Sequence, residues 1–485
     1  MPTGWKSAII AFSAFASLEA GEVHTFTDTQ GRELQATVVG LSEGSVQLRR
    51  SDGKVFELKD STFSEADQKY LSGLRDASGA EAEKLNKAAG HKLFGEKPLM
   101  QRPAKEVAAV LGLRPESKTP GLWSWRLYAA FYPGPDGGKA GSYRLFGAMP
   151  FSLALYADPY GSVSHLSAVF ANKGDFGSSA GMGEDHFNQG ESEESGSLEE
   201  AMDRDFETIT GRLTSALGEP VTQRFGEGKE RRTVSRWDTQ GTSILLAMED
   251  EEFVNLSIVP VAFADSGGKT ERVDDSTIKE RVAKAVKREE NGDVIISGIP
   301  MVDQGPKGYC VPATFERAMR FMGMDADMYL LAMVGQTSAG GGTSPKLLID
   351  EVESQVYRKG RRTRDDEAKK VSISRLKRFI DDGIPVMWTM YSLPTYNEIS
   401  NSNTKARDSV DDWAAWSQKI SEQSESYARR EPTPGAYHIC MIIGYNEATG
   451  ELAVSDSWGP RYELRWIPEG VAQWVHGGDL FMILP

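Results

Sequence analysis

The sequence is poor in cysteine, histidine, basic residues and long apolar runs, and each shortage removes a class of protein. Among 485 residues there are two cysteines, Cys310 and Cys440, and six histidines. Two cysteines so far apart cannot build a cysteine-rich zinc site or a redox CxxC. A chain of this length buries enough core to need no disulfide scaffold. Basic residues are outnumbered, 55 Lys and Arg against 70 Asp and Glu, for a formal net charge of −15. Phosphate recognition draws on Lys and Arg, so a general nucleic-acid binder is not expected. No segment reaches about eighteen consecutive apolar residues, so no stable membrane span is expected.

At the N-terminus, Lys6 precedes the apolar stretch from Ser7 to Ala16, with the small residues Ala14 and Ala16 near its end. One positive charge, a short apolar run and small residues read as a secretory signal peptide over residues 1–20, cut after Ala16 or Ala20. The expected localisation is secreted, periplasmic or in the cell envelope.

The length predicts about three domains in a multidomain α+β chain. Residues 21–75 alternate as strands: Leu34, Ala36 and Val38, then Val46 and Leu48, then Phe56 and Leu58, separated by Gly31, Gly44 and Asp52-Gly53. Ser64 and Asp67 suit the start of a short helix, and residues 76–97 read as a helical or flexible connector. Residues 98–264 read as an α+β domain of unassigned role. Its clearest helix starts at Ser197 with Glu200 as a capping box, carries Leu198, Met202, Phe206, Ile209, Leu213 and Leu217 as one stripe, and stops at Gly218-Glu219-Pro220. Strands follow around Trp237, over 244–246 and over 253–259. Residues 265–290 form a charged linker with a short helix near 278–287, and a third domain occupies 291–485.

No metal or cofactor is expected. The acidic stretch with Glu184, Asp185, Glu191, Glu193 and Glu194 does not follow the ligand order of an EF-hand and reads as a solvated loop. His24, His91, His165 and His186 lack ligand-like spacing, and His476 has no partner in sequence. These five read as surface or packing residues.

Chemistry concentrates in the last domain. In Gln304-Gly305-Pro306-Lys307-Gly308-Tyr309-Cys310-Val311-Pro312, the proline suits the first turn of a helix, which puts Cys310 at the helix N-terminus. Free N–H groups and the positive end of the dipole stabilise a thiolate there, the nucleophilic form of cysteine. Gln304 offers an amide donor for an oxyanion beside the N–H of Cys310. A thiol nucleophile needs a base, and His438 lies in the apolar strand 436–445. If Gly444 pairs with Gly450 across the following turn, His438 faces Asp456 on the returning strand. A carboxylate beside an imidazole fixes its tautomer and stabilises the imidazolium. Cys440, two residues along, reads as a buried core residue. A Cys310–Cys440 disulfide would block the nucleophile. Trp458 is placed to pack over the His–Asp pair. The polar insertion over 391–435 reads as surface decoration rather than a lid.

Two resemblances follow from these residues. Phe26-Thr27-Asp28, Gly31-Arg32, Ala36, and Val46 to Arg50 with Asp52-Gly53-Lys54 resemble the Sla-one homology domain, a small SH3-like β-barrel. That resemblance implies a binding or spacing module with a protein partner. Gln304, Cys310, His438 and Asp456-Ser457-Trp458-Gly459, in that order, resemble the papain-like cysteine peptidases, in the bacterial branch typified by double-glycine leader peptidases. The segment 374–388, helix then glycine stop then core strand, agrees. The resemblance covers 291–485 and implies a papain-like α+β fold, a peptide or protein substrate, Cys310 as nucleophile, His438 as base and acid, Asp456 as orienter and Gln304 as oxyanion donor. The papain type carries Asn where this chain has Asp456. The resemblance leaves two alternatives open: a transglutaminase-like thiol acyltransferase, and a non-catalytic peptide-binding scaffold.

Overall fold

A computed structural model describes residues 23–485 apart from 52–53, 96, 120–122, 136, 176–196, 307, 339–341 and 432–433. The expected signal segment, Asp52-Gly53, His186 and the acidic stretch 184–194 lie outside the described residues.

Strands β1 (His24–Thr27), β2 (Glu33–Ser42), β3 (Ser45–Arg50) and β4 (Val55–Lys59) form an antiparallel meander in chain order. Alternation turns Phe26, Ala36, Val46, Leu48 and Leu58 inward onto Phe63 and Leu71. Among the described residues the meander is not the closed barrel expected, because β1 and β4 do not pair. Return contact is confined to one bridge between Asp28 and Phe63, with Ser64 N–H bonded to Thr27 C=O at 2.8 Å. The chain cannot extend that bridge into a strand, because Ser64 already caps a helix by accepting from the N–H of Asp67.

That helix is a single run, Glu65–Ala89, of 25 residues, where the sequence suggested a short helix and a separate connector. Its first half covers the meander through Leu71. Its second half buries Ala82, Leu85 and Ala89 in the core of the next domain.

The middle domain is an eight-stranded antiparallel sheet built from β5 (Arg114–Pro115), β6 (Ser124–Tyr128), β7 (Ser152–Ala157), β8 (Val163–Asn172), β9 (Val221–Phe225), β10 (Arg232–Thr239), β11 (Thr242–Glu249) and β12 (Phe253–Pro260). The spatial order is β5-β6-β7-β8-β12-β11-β10-β9. The helix Leu198–Leu217 begins at the capping box of Ser197 and Glu200 and lays Met202, Ile209 and Leu213 on the sheet, as its apolar stripe dictates.

In the C-terminal domain, β13 (Val286–Arg288), β14 (Asp293–Ile296), β15 (Arg362–Glu367), β16 (Val386–Ser392), β17 (Ala436–Asn446) and β20 (His476–Leu484) form a sheet in the order β13-β14-β17-β16-β20-β15. The pair β18 (Glu451–Ser455) and β19 (Arg465–Pro468) extends from β17. The helix Cys310–Phe321 lies against β17, with its residues from Val311 to Met319 all buried. Val302, Tyr309, Ala313, Met328, Tyr329 and Ala332 of this domain belong to the same apolar cluster as the core of the middle domain. The two domains therefore share one continuous core across the Cys310 end of the helix.

Candidate active site

Cys310 is the first residue of its helix, with Pro312 tolerated in the first turn where no intrahelical N–H is needed. Cys310 is a half-buried free cysteine, and Cys440 is a separate, buried one, so the chain holds no disulfide between them. Gly305 adopts φ of +73° in the loop before the helix, and a Cβ there would lie 2.6 Å from the Tyr128 ring. Only glycine fits that position.

The β17–β18 hairpin brings His438 and Asp456 together, but not by the expected register. Asn446 accepts the N–H of Gly450 on its carbonyl and the N–H of Thr449 on its side chain, both at 3.0 Å. This Asn-capped turn pairs Asn446 with Glu451 and Gly444 with Ala453, and a bulge between Ile442 and Gly444 follows. Continued from Met441 opposite Ser455, the register sets His438 level with Trp458. The rings of His438 and Trp458 stack with centroids 4.6 Å apart. Asp456 lies just past the end of β18, and its Oδ1 reaches His438 Nε2 at 3.2 Å. With Nε2 held by the carboxylate, Nδ1 is left for the thiol.

Two arginines with no signal in the sequence reading hold this arrangement. Arg465 on β19 donates to Asp456 Oδ2 from Nη2 at 2.6 Å and Nε at 3.1 Å, both side chains being fully buried. Its Nη1 donates to Asn397 Oδ1 at 2.9 Å. Asn397 lies on the helix Pro394–Arg407 of the polar insertion, and Trp416 of the next helix, Trp413–Ala428, is buried with Nε1 bonded to Glu451. The insertion, expected as surface decoration, thus packs as a buttress behind the Asp456 carboxylate. Arg317, two turns after Cys310 on the same helix, donates from Nη2 to Ser455 Oγ at 2.5 Å and from Nη1 to Ser457 Oγ at 3.2 Å. The helix that carries the thiol thereby fixes the segment that carries the carboxylate.

Gln304 is buried in the loop before the helix, its N–H bonded to Ser457 C=O at 2.8 Å. The preceding residue is gripped by the middle domain. Glu116 Oε1 accepts the Asp303 N–H at 2.8 Å, and Tyr128 donates to the Asp303 C=O at 2.5 Å. At the other end of the loop, Tyr309 donates to Asn172 Oδ1 at 2.9 Å. The sequence held no signal for these contacts, because they join residues more than a hundred positions apart.

The electrostatics favour an ion pair. Burial opposes ionisation of Cys310, but the hydrogen bond and charge of His438, with the N–H groups of Ile439 and Val311, hold its pKa below the usual thiol value. Burial likewise opposes the imidazolium, yet the hydrogen bonds to Asp456 and Cys310 push His438 up to about 9. Burial would raise Asp456; the Arg465 charge and the bond to His438 keep it below the usual carboxylate range. Burial pushes the Cys440 thiol well above the usual value, which makes it inert.

The other histidines fall outside the site. His476 is buried, accepting from Trp388 Nε1 at 3.0 Å, and His24 lies 2.7 Å from Asp67. Among the described residues no cluster of His, Cys, Asp and Glu has the arrangement of a metal site. No described helix is long and apolar enough to cross a membrane.

An α+β domain with a thiol at a helix N-terminus beside an imidazole on the adjoining strand has the layout of a papain-like cysteine peptidase. Residues 296–473 match the model of the Peptidase_C39 like family, a span that contains Gln304, Cys310, His438 and Asp456. The C-terminal domain is therefore Peptidase_C39-like. Among solved structures, the peptidase domain of Streptococcus ComA, a bi-functional ABC transporter involved in a quorum sensing pathway, aligns with 39% of this chain and 99% of its own, at 13% identity and a TM-score of 0.25. No curated protein matches the chain.

Proposed function

We propose that the chain is an exported cysteine peptidase. The observation that carries this reading is Cys310, half-buried at a helix N-terminus, with the ionisation of its thiol favoured by an imidazole that Asp456 holds from behind. The Cys310 thiolate attacks a peptide carbonyl carbon, and the tetrahedral oxyanion takes hydrogen bonds from the Gln304 amide and the Cys310 N–H. His438 gives its proton to the leaving amine as the C–N bond breaks, which leaves a thioester. Neutral His438 then takes a proton from water as its oxygen attacks the thioester, and the C–S bond breaks to release the carboxylic acid and restore the Cys310 thiolate beside the imidazolium. Asp456 holds the ring and favours the imidazolium formed in each step.

Export is proposed from Lys6 and the apolar run after it. The N-terminal meander is proposed to dock a protein partner, on the strength of the sequence resemblance over residues 26–54 alone. Labelling with iodoacetamide at neutral pH tests the central reading. Wild type takes up label, Cys310→Ala does not, and Cys440 stays unlabelled in both. Equal labelling of the two proteins would overturn the nucleophile assignment.

A further inference from the structure

A cavity of about 370 Å³ lies between the middle and C-terminal domains, apart from Cys310. That volume falls within the range of about 300–1,000 Å³ in which small-molecule sites occur. The middle domain supplies Glu230 and Arg232, and the C-terminal domain supplies Asp327, Gln355 and Lys359.

Most charges on its wall are already matched. Lys359 pairs with Glu227 at 2.6 Å, and Asp327 accepts from two N–H groups of its own helix and from Ser167. Asp325 on the wall is exposed to solvent, and two buried groups are left over. Arg232 is 5% exposed; its Nη1 meets only the Glu230 carbonyl at 3.2 Å, and its Nε has no acceptor. Among the described residues no carboxylate stands within ion-pair distance of it. Glu230 is 8% exposed, and its carboxylate meets only the Gln355 amide, at 3.4 Å. Burial pushes that carboxyl up to about 7.

A buried cation and a buried acid that line one cavity and feel each other's charge without forming an ion pair cost stability, and a partner for both relieves the cost. A simple anion on Arg232 would face Glu230, and a metal ion on Glu230 would face Arg232. A zwitterion satisfies both. Phe225, Phe253 and Phe263 add an aromatic wall, with Phe225 and Phe263 edge to face at 5.6 Å. We infer that the interdomain cavity binds an α-amino acid or short peptide with both termini free, its carboxylate on Arg232, its ammonium on Glu230 and an apolar side chain on the phenylalanines.

The inference rests on the cavity alone and stands whether or not the chain is a peptidase. It is tested by calorimetric titration of the full chain carrying Cys310→Ala, so that no turnover intrudes. The probes are Gly-Phe, N-acetyl-Gly-Phe and Gly-Phe-amide. Gly-Phe is expected to bind saturably, with each capped form weaker by at least about tenfold, since each loses a charge-assisted contact. Arg232→Met and Glu230→Gln should each weaken Gly-Phe by a similar factor. Phe263→Trp, at the partly exposed rim, fills the cavity without touching either charge and should block binding. Equal affinity for capped and free peptides overturns the inference, as does affinity for Gly-Phe unchanged by all three substitutions. Absence of saturable binding into the millimolar range overturns it too.

Discussion

Asp456→Asn removes one charge and almost no volume from the centre of the site. The carboxylate it replaces spans His438 Nε2 at 3.2 Å on one oxygen and the Arg465 guanidinium at 2.6 and 3.1 Å on the other. His438 is raised from the ordinary 6.5 to about 9 although its burial works the other way. That difference corresponds to roughly 3 kcal/mol in favour of the imidazolium, at about 1.4 kcal/mol per tenfold, shared between Asp456 and the thiolate. With Asn at 456, burial and the Arg465 charge both oppose a proton on the ring, so His438 falls to its ordinary value or lower. Cys310 then loses the cation that offsets its own burial, and its pKa rises. The thiolate population near neutrality should fall by about two orders of magnitude. The alkylation rate of Cys310 by iodoacetamide, followed against pH, reads this directly. Wild type should react readily through neutrality, and the variant only as the pH climbs past the ordinary thiol range. Peptide cleavage at neutral pH should drop about a hundredfold. Linkage has a definite sign here. The raised His438 stabilises the fold fully below about 6.5 and loses that contribution as pH rises through about 9, so wild type should lose stability on that alkaline limb. Superimposable alkylation profiles for wild type and variant would refute the reasoning.

Gln304→Ala should lower kcat about 10²–10³-fold while leaving Cys310 alkylation unchanged, because alkylation forms no oxyanion. Arg465→Met strips the buried Asp456 carboxylate of its strongest partner and should cost about 3–5 kcal/mol, read as a lowered thermal midpoint. Tyr128→Phe frees the Asp303 carbonyl, a loss of about 1 kcal/mol that should lower kcat several-fold with little change in KM, since the loop moves rather than the peptide-binding surface.

The site was more legible than its supports. Pro312 and the two glycines around residues 305–308 announce a helix start behind a tight loop, and the helix does begin at Cys310. The hairpin was legible as two strands and a turn, but its register was not. Asn446 uses its side chain to cap a shorter turn, placed further along the chain than Gly444 facing Gly450 would put it, and the bulge takes back only part of that shift. The His438–Asp456 contact survives because Asp456 sits beyond the strand end, where its carboxylate can turn back to the ring. Arg317 and Arg465 were illegible for a different reason. Nothing local distinguishes a buried arginine from an exposed one when its partners lie on another strand or helix. The closed barrel failed at Ser64, whose capping role was visible in the sequence but whose consequence for strand closure was not.

The middle domain is tied directly to the loop before Cys310. By sequence it was a separate α+β unit without chemistry. In the structure it grips both ends of the loop that carries Gln304 to Cys310, through Glu116 and Tyr128 on Asp303 and through Asn172 on Tyr309. Glu116 is in turn fixed by Arg126 at 2.7 Å, itself bonded to Ser152, so the grip is anchored in the sheet rather than in a mobile loop. The oxyanion role proposed for Gln304 requires the side chain to hold its place to within a fraction of an ångström, and a loop rich in glycine does not do that unaided. The acidic residues that give the chain its negative balance therefore include at least two, Glu116 and Asp456, whose buried charges position the loop and the ring around Cys310. The rarity of cysteine has a counterpart in the same place: with no disulfide to brace the loop, hydrogen bonds from a neighbouring domain brace it instead.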